Sequence, residues 1–170
     1  MDKQKVLDIF YRRRSIRKFK QGVNISDEQM DIILKAAMAA PSANNRQPWY
    51  FIVVDDRDKM LEITKHHPYS NMLHTASACI VVVGDTSTDY WVQDCSAATE
   101  NMLLAIANID LGGVWLGIYP RKERVDALRE IFNIPEHMTP LCVVAVGVPD
   151  EKKERVDRFD PNRIYKNSWK

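Results

Sequence analysis

Apolar residues recur at helical spacing in five parts of the chain. The first such stretch, at residues 6–10, predicts an amphipathic helix that runs into a cluster of arginines. A second helix begins at Ser26, which forms a capping-box pattern with Gln29, and Pro41 ends it. The remaining predicted helices cover residues 57–65, 89–109 and 121–132. The helix at 89–109, ended by Gly112-Gly113, is apolar on more than one face. It therefore belongs either to the centre of the domain or to a subunit interface.

Four continuous apolar runs predict β-strands between these helices. They cover Trp49–Val54, Cys79–Val83, Val114–Tyr119 and Leu141–Val148. The run at Trp49–Val54 has no alternation and is bounded by turn residues, so we expect that strand to be buried on both faces. After Pro149 the chain is polar with few apolar anchors, and we expect residues 150–170 to form an extension that wraps over a partner.

The composition is that of an ordinary globular domain. The chain has 170 residues, of which 45% are hydrophobic and 28% charged, and it has no linker or repeat that would divide it. We therefore expect a single domain over residues 1–170. The net charge of +1 is unevenly distributed, with +6 in residues 1–20, −7 in residues 21–149 and +2 in residues 150–170. The two ends are basic and the body is acidic.

The basic run near the start predicts an anionic partner. No carboxylate lies between Asp8 and Asp27, while six bases fall within residues 12–20. Because the acidic body would repel a long polyanion, we expect a small phosphorylated ligand and no nucleic acid. A solvated cationic helix end without any ligand remains the alternative.

Several functional classes receive no support from the sequence. The N-terminus resembles no signal peptide, and the apolar runs are too short to cross a membrane, so we expect a cytoplasmic protein. The cysteines, Cys79, Cys95 and Cys142, have no metal-binding spacing, and we expect buried, reduced thiols and no metal site. Because nucleophile, Walker and dinucleotide motifs are absent from the sequence, a cofactor is expected to supply any difficult chemistry.

Two polar segments carry the candidate chemistry. The first, Arg13–Phe19, places a hydroxyl among guanidinium groups that can bind a phosphate in bidentate fashion. The second, Ala40–Trp49, is rich in amide and hydroxyl groups, which supply both donors and acceptors to the edge of a heterocycle. Taken alone, the second segment is also typical of a rigid, well-bonded turn.

In this order the segments resemble the FMN-dependent nitroreductase family. The resemblance extends over nearly the whole chain. It rests on the arginine-serine-x-arginine start, the Pro-Ser…Asn-x-Gln-Pro-Trp segment, a helix with Asp94 and Asn101, the Leu-Gly-Gly-x-Trp-x-Gly stretch at Leu111–Gly117, and a basic tail ending near Trp169. It implies an α+β fold with a central, mostly antiparallel sheet flanked by helices. It also implies an intertwined homodimer with FMN at the interface.

The resemblance also implies a role for twelve residues in cofactor binding and for none as a catalytic acid or base. Arg13, Arg14, Ser15 and Arg17 would hold the FMN phosphate and ribityl chain and reach the pyrimidine edge; Pro41, Ser42, Asn45 and Gln47 of the other subunit would line the ring; Leu116 and Gly117 would place N–H groups near flavin N5 and O4; and Arg158 or Arg163 would complete the phosphate site. The tail lacks the Lys-x-Arg pair of some members, and Leu116 stands where some members have Glu.

The implied reaction is a ping-pong cycle. NAD(P)H would transfer a hydride to flavin N5, and a small acceptor such as a nitroaromatic or a quinone would then take the electrons. One alternative is a different flavin reaction on the same fold, such as dehalogenation, flavin fragmentation or substrate oxidation. The other is a flavin-binding module without catalysis.

Overall fold

The computed structural model describes residues 3–169, so that residues 1, 2 and 170 of the predicted domain lie outside the described part. In chain order the elements are α1 (Lys3–Arg12), α2 (Asp27–Met38), β1 (Trp49–Val54), α3 (Arg57–His66), β2 (Ala78–Asp85), α4 (Trp91–Asn108), β3 (Gly112–Gly117), α5 (Lys122–Phe132) and β4 (Met138–Gly147). Short 3₁₀ turns occur at Ala43–Asn45, Asn71–His74 and Pro161–Arg163. The predicted helices and strands are confirmed, with their ends displaced by a few residues.

The strands form one antiparallel sheet in the order β1-β2-β4-β3. Helices α3 and α5 cover one face through an apolar cluster that includes Met60, Ile63 and Leu128. Helices α2 and α4 cover the other face through a second cluster that includes Ile33 and Met102. The predicted α+β architecture, a central antiparallel sheet flanked by helices, is therefore confirmed.

Helix α2 begins as its sequence predicts. The Ser26 hydroxyl accepts the Gln29 N–H at 3.2 Å, and the Gln29 side chain accepts the Ser26 N–H at 2.9 Å. This reciprocal bonding satisfies two N–H groups that a helix start otherwise leaves unpaired. The local signal was sufficient here because both partners lie within one turn.

Strand β1 differs from its prediction. It lies at the edge of the sheet, and Tyr50 is 57% exposed and Val53 42% exposed in the single chain. The prediction of burial on both faces was wrong, because an apolar run does not reveal whether helices cover the strand. The central strand β4 is the one buried along its whole length.

Gly112 and Gly113 also differ from their predicted role. The helix ends at Asn108, and these two glycines begin strand β3 instead. The change of direction is made at Asp110, whose φ of 58° lies in the left-handed region. Aspartate tolerates this conformation better than most residues.

The chain after Val148 returns along the N-terminal segment. The Lys20 N–H donates to Val148 O at 2.9 Å, and the Asp150 N–H donates to Lys18 O at 2.8 Å. Beyond that point the described tail has only a 3₁₀ turn, and large apolar side chains on it are exposed, Trp169 at 75%. That the tail wraps over a partner stays a prediction.

The three cysteines are buried and unbonded, as predicted. Burial raises the pKa of each thiol to about 12. Among residues 3–169, the structure contains no helix long and apolar enough to cross a lipid bilayer.

Candidate functional site

The arginine-rich segment, residues 13–20, lies along the free edge of β3. The Ile16 N–H donates to Gly113 O at 3.0 Å, and Ser15 forms a parallel bridge with Gly113. A Cβ at Gly112 would lie 2.8 Å from Cγ2 of Ile16, so a glycine is needed for this close approach. The backbone of the segment is therefore fixed against the sheet.

A cavity of about 320 Å³ opens beside this segment. Its walls come from the arginine-rich segment, the end of α4 and the start of the tail. They include Arg12, Arg14, Ile16, Gly113, Lys152 and Lys153. The lining also includes the carboxylates of Asp110 and Glu151, so four cations against two anions leave a net charge of +2, which suits an anion such as a phosphate.

The predicted phosphate ligands have different surroundings. Arg13 is partly buried, and its Nε lies 3.4 Å from a carboxylate oxygen of Glu100. Arg14 lines the cavity and donates to the carbonyl oxygen of Glu154. Ser15 is half-buried, whereas Arg17 is exposed. Of the four, Arg14 is the side chain that lines the cavity.

The tail supplies lysines to the cavity, although an arginine is predicted there. Arg158 and Arg163 are exposed and do not line the cavity of their own chain, and Arg163 pairs with Asp160 at 3.2 Å. Lys153 lines the cavity and donates to Ser15 O at 2.8 Å. The Lys152-Lys153 pair is visible in the sequence. Its position at the cavity is not, because it depends on the tail returning along residues 13–20.

Glu151 fixes the tail to the arginine-rich segment. Its carboxylate accepts the Arg17 N–H at 2.5 Å and the Lys18 N–H at 3.2 Å, and the Lys153 ammonium lies 3.4 Å away. Partial burial opposes ionisation, but the donated N–H groups and the Lys153 charge together lower the pKa of Glu151. Glu151 therefore carries its negative charge at neutral pH.

The amide-rich loop, residues 41–47, has an unusual backbone. Asn44, Asn45 and Gln47 have φ values of 51°, 54° and 50°, in the left-handed region. The Ser42 hydroxyl stabilises the turn by accepting the Gln47 N–H at 3.0 Å. Strained backbone of this kind persists where the surroundings hold it and is enriched at functional sites. Pro41, Asn45 and Gln47 are exposed, and Ser42 is half-buried.

Asp94 in the first turn of α4 holds the amide-rich loop. Its Oδ1 accepts the Ala43 N–H at 3.1 Å. Its Oδ2 is buried and has no hydrogen-bond partner within the described range. The contact joins residues 51 positions apart in sequence, so no local pattern predicts it.

The two halves of the predicted site lie apart in one chain. Ala43 is held at Asp94 near the start of α4, while Arg13 lies against Glu100, six residues further along the same helix. Asp94 and Glu100 are separated by about 9 Å along the helix axis. The loop also leads into β1, at the edge of the sheet opposite β3.

The alternation of the β3–β4 ladder determines which backbone groups face the free edge of β3. The Ile118 N–H donates to Leu141 O at 3.1 Å, which marks this pair as hydrogen-bonded. In an antiparallel pair, alternate residues point their N–H and C=O away from the neighbouring strand. Gly117 is such a residue, whereas Leu116 pairs with Val143. Of the two residues predicted to offer an N–H to a ligand, Gly117 is the one that faces the free edge.

The surroundings of Gly117 leave room for a ligand. Leu116 is buried in the core, but Gly117 is exposed, and no atom lies within 4 Å of the position that a Cβ would occupy. The arginine-rich segment meets β3 at Gly113, four residues earlier. An extended strand therefore places the Gly117 N–H about 13 Å from that contact along the same edge.

Two side chains that the sequence analysis missed bind the carbonyl oxygen of Gly117. His67 Nε2 lies 3.1 Å from it, and Arg124 Nη1 donates to it at 2.8 Å. The Tyr69 N–H donates to His67 Nδ1 at 3.2 Å, so the ring proton resides on Nε2 and points to Gly117. Burial, with the Arg124 charge nearby, lowers the pKa of His67, and the ring is neutral at pH 7.

Comparisons with known proteins agree with this architecture. The family model described as "Nitroreductase family" matches residues 11–68 and 59–148. An Archaeoglobus fulgidus protein named "Putative NADH dehydrogenase/NAD(P)H nitroreductase" is 49% identical, and the alignment covers 98% of this chain and 99% of that protein.

Solved structures show the same fold over the same length. A crystal structure from Parabacteroides distasonis, bearing that same name, is 37% identical with a TM-score of 0.93, covering 97% of this chain and 99% of the other. A "putative nitroreductase in complex with FMN" from Desulfovibrio desulfuricans is 28% identical with a TM-score of 0.81, covering 97% and 98% of the two chains. The family match covers well over half of the chain, and the first relative covers nearly all of it. The chain therefore belongs to the nitroreductase family.

Proposed function

We propose that the protein is an NAD(P)H-dependent FMN oxidoreductase that acts as a homodimer with a shared site. The free edge of β3 is the observation that carries the proposal. It has a cationic cavity at its start and an outward Gly117 N–H with open space at its end. A phosphorylated flavin has the matching order of groups, a phosphate at one end and a ring with hydrogen-bond acceptors at the other.

The residues present fit FMN on chemical grounds. A phosphate monoester carries about −1.5 to −2 charges at neutral pH. Arg14, Lys152 and Lys153 surround the cavity. Arg13 and Arg17 lie in the same arginine-rich segment as Arg14. Charge-assisted bonds from two or three of these groups hold a dianion firmly. Arg158 or Arg163 stays a proposed phosphate ligand, which would act from the partner's tail.

The partner subunit would supply the other half of the site. Within one chain the amide-rich loop leads into β1 and the arginine-rich segment lies along β3, at opposite edges of the sheet. We propose that Pro41, Ser42, Asn45 and Gln47 come from the second chain and line the isoalloxazine. Exposed apolar residues on α1 and on the tail support an extensive interface, among them Phe10 at 54% and Phe159 at 73% exposed.

The protein's own groups position the reaction. FMN, when bound, accepts a hydride from NAD(P)H and then delivers two electrons to a small acceptor such as a nitroaromatic or a quinone. The Gly117 N–H would donate to the bound ring, and the amide-rich loop would line it. The thiols of Cys79, Cys95 and Cys142 stay protonated at neutral pH because burial raises the pKa of each to about 12, so thiolate chemistry has no part.

The site is expected to accept a range of acceptors. The connection from β2 to α4 spans residues 86–90 and is too short to form a lid over the ring. A ping-pong cycle with broad acceptor use fits such an open site. The cytoplasmic location stays a prediction.

Anaerobic titration tests the proposed function. Purified protein reconstituted with FMN should show oxidised flavin bands, which NADH or NADPH bleaches and which an added quinone or nitroaromatic restores. A protein that does not bind FMN would overturn the proposal. Bound flavin that neither nucleotide bleaches would instead indicate a binding module.

A further inference from the structure

The start of α5 lies against the exposed end of β3. Strand β3 ends at Gly117 and α5 begins at Lys122. The Arg121 N–H donates to Ile118 O at 2.9 Å, which makes the connection a tight turn. Arg124, in the first turn of α5, donates from Nη1 to Gly117 O at 2.8 Å. The first residues of α5 are therefore neighbours of the Gly117 end of the proposed flavin site.

Basic side chains are concentrated at this helix start. Residues 21–149 contain nine lysines and arginines, and three of them, Arg121, Lys122 and Arg124, fall within four positions. A helix start normally favours acidic side chains, because it is the positive end of the helix dipole. Three cations there act against the stability of the helix. Local sequence of that kind is expected where function requires it.

The geometry of the helix leaves one of these cations free on the Gly117 side. Residues three apart lie on the same side of a helix, so Arg121 lies on the side from which Arg124 reaches Gly117. Lys122 instead pairs with Asp126, one turn further along. Arg121 is exposed, and its side chain makes no ion pair or hydrogen bond within residues 3–169. Its guanidinium is therefore available to a ligand.

A nicotinamide nucleotide carries negative charge close to its reactive ring. During hydride transfer the nicotinamide must lie over the flavin ring, and a single ribose separates it from the anionic pyrophosphate. A guanidinium binds phosphate oxygens in bidentate fashion. We propose that Arg121 binds the pyrophosphate of NAD(P)H. The inference rests on the proposed function, because that function makes NAD(P)H the electron donor.

A purely structural role of the Arg121 side chain has no support in its contacts. Arg121 occupies the position before the first residue of α5, but its side chain makes no capping bond there. The helix packs on the sheet through buried apolar residues that include Val125 and Leu128. Removal of the guanidinium should therefore leave the fold intact.

The decisive variant is Arg121→Gln, with Lys122→Gln as its matched control. Each removes one positive charge, and the two positions are adjacent. The first readout is the KM for NADH and for NADPH in anaerobic reduction of the FMN-loaded protein. Loss of one charge-assisted bond should raise both values about tenfold in R121Q. K122Q should stay within about twofold of the wild type, because exposed ion pairs contribute little. Arg121→Lys retains the charge and should restore most of the affinity.

An electron donor without phosphates separates nucleotide binding from the reaction itself. N-benzyl dihydronicotinamide has the same reacting ring but offers Arg121 no pyrophosphate. It should therefore reduce the bound flavin equally fast in the wild type and in R121Q. Slower reduction by this donor in R121Q would overturn the inference, because it would show damage to the flavin site.

The second readout is the affinity of the FMN-loaded protein for NAD⁺, measured by calorimetry. It should fall about tenfold in R121Q and stay close to the wild type in K122Q. If no donor bleaches the flavin of the wild type, the proposed function fails, and the affinity for NAD⁺ alone judges the role of Arg121.

Three results would contradict the assignment of Arg121. The first is a KM for NADH that R121Q leaves unchanged, and the second is an equal loss in K122Q. The third is a loss confined to NADPH, which would place Arg121 at the adenosine 2′-phosphate instead of the pyrophosphate.

Discussion

At the scale of single residues, two glycines at opposite ends of β3 have different surroundings. A Cβ at Gly112 would meet Ile16, whereas one at Gly117 would meet no atom within 4 Å. Gly112 therefore serves the docking of the arginine-rich segment, and Gly117 borders open space. The same residue type has a packing role in one place and, in our proposal, a ligand-binding role in the other.

The substitution Gly112→Ala tests the packing role. The added methyl group must displace Ile16 and with it the arginine-rich segment, which should cost about 1–3 kcal/mol. Thermal unfolding of the FMN-free protein should show a lower Tm for G112A, while Gly117→Ala serves as control and should unfold close to the wild type. Equal Tm values for G112A and the wild type would show that the segment tolerates displacement.

His67 makes stability depend on pH. Its pKa in the folded protein is lowered, first by burial and second by the charge of Arg124. In the window between the folded and unfolded pKa values the unfolded chain binds more protons, so stability rises with pH. The contribution of neutral His67 to the free energy of unfolding is complete above about pH 6.5 and is lost as the pH falls through the pKa of His67 in the folded protein.

Urea unfolding of the wild type and of H67Q between pH 5 and pH 8 measures this dependence. The stability of the wild type should decline more steeply on acidification than that of H67Q. Parallel pH profiles for the two proteins would contradict the assignment of His67 as a neutral donor.

At the scale of elements, the arginine-rich segment and the start of the tail form one unit on the edge of β3. Glu151 accepts from the Arg17 and Lys18 N–H groups, and Lys153 donates to Ser15 O. Because backbone groups hold the unit together, arginine side chains can be removed without unfolding it.

The double variant Arg13→Ala with Arg17→Ala tests the phosphate assignment. Two lost charge-assisted contacts should weaken FMN binding by about a hundredfold or more, and the circular dichroism spectrum should stay unchanged. A double variant of two exposed lysines, Lys35→Ala with Lys59→Ala, controls for the change in net charge. Similar FMN affinity in both double variants would show that the arginines are only solvated charge.

Asp94 should determine the conformation of the amide-rich loop. Asp94→Ala removes the acceptor of the Ala43 N–H and should cost about 1–3 kcal/mol of stability. FMN affinity should also fall, because the loop carries Asn45 and Gln47. Asp94→Asn retains a carbonyl acceptor and should lie closer to the wild type. An Asp94→Ala protein with unaltered stability and FMN affinity would show that Asp94 does not hold the loop.

The sequence predicted these elements to different degrees, and the range of the interactions explains why. The capping box at Ser26 and the apolar runs of β2 and β4 are local signals, and the structure confirms them. The exposure of β1 depends on which helices cover it, and a local sequence pattern does not predict that packing. The His67–Gly117 contact joins residues 50 positions apart and left no pattern to detect.

At the scale of the whole molecule, the single chain contains two half-sites. The arginine-rich segment lies along β3 and the amide-rich loop leads into β1, at opposite edges of the sheet. A dimer with two-fold symmetry would join each half to its complement and form two equivalent sites. The central claim is therefore that each FMN is bound by both chains.

Subunit complementation tests that claim most directly. One chain would carry Arg13→Ala with Arg17→Ala, and the other Asn45→Ala with Gln47→Ala, with different affinity tags for co-expression. Each double variant alone should form dimers by light scattering but retain little FMN.

In a purified heterodimer one site receives both intact halves and the other receives none. We therefore expect FMN to fill about half of the sites of that heterodimer, with bleaching by NAD(P)H in the same proportion. A heterodimer that retains no more FMN than its two parent variants would contradict a site shared between the chains.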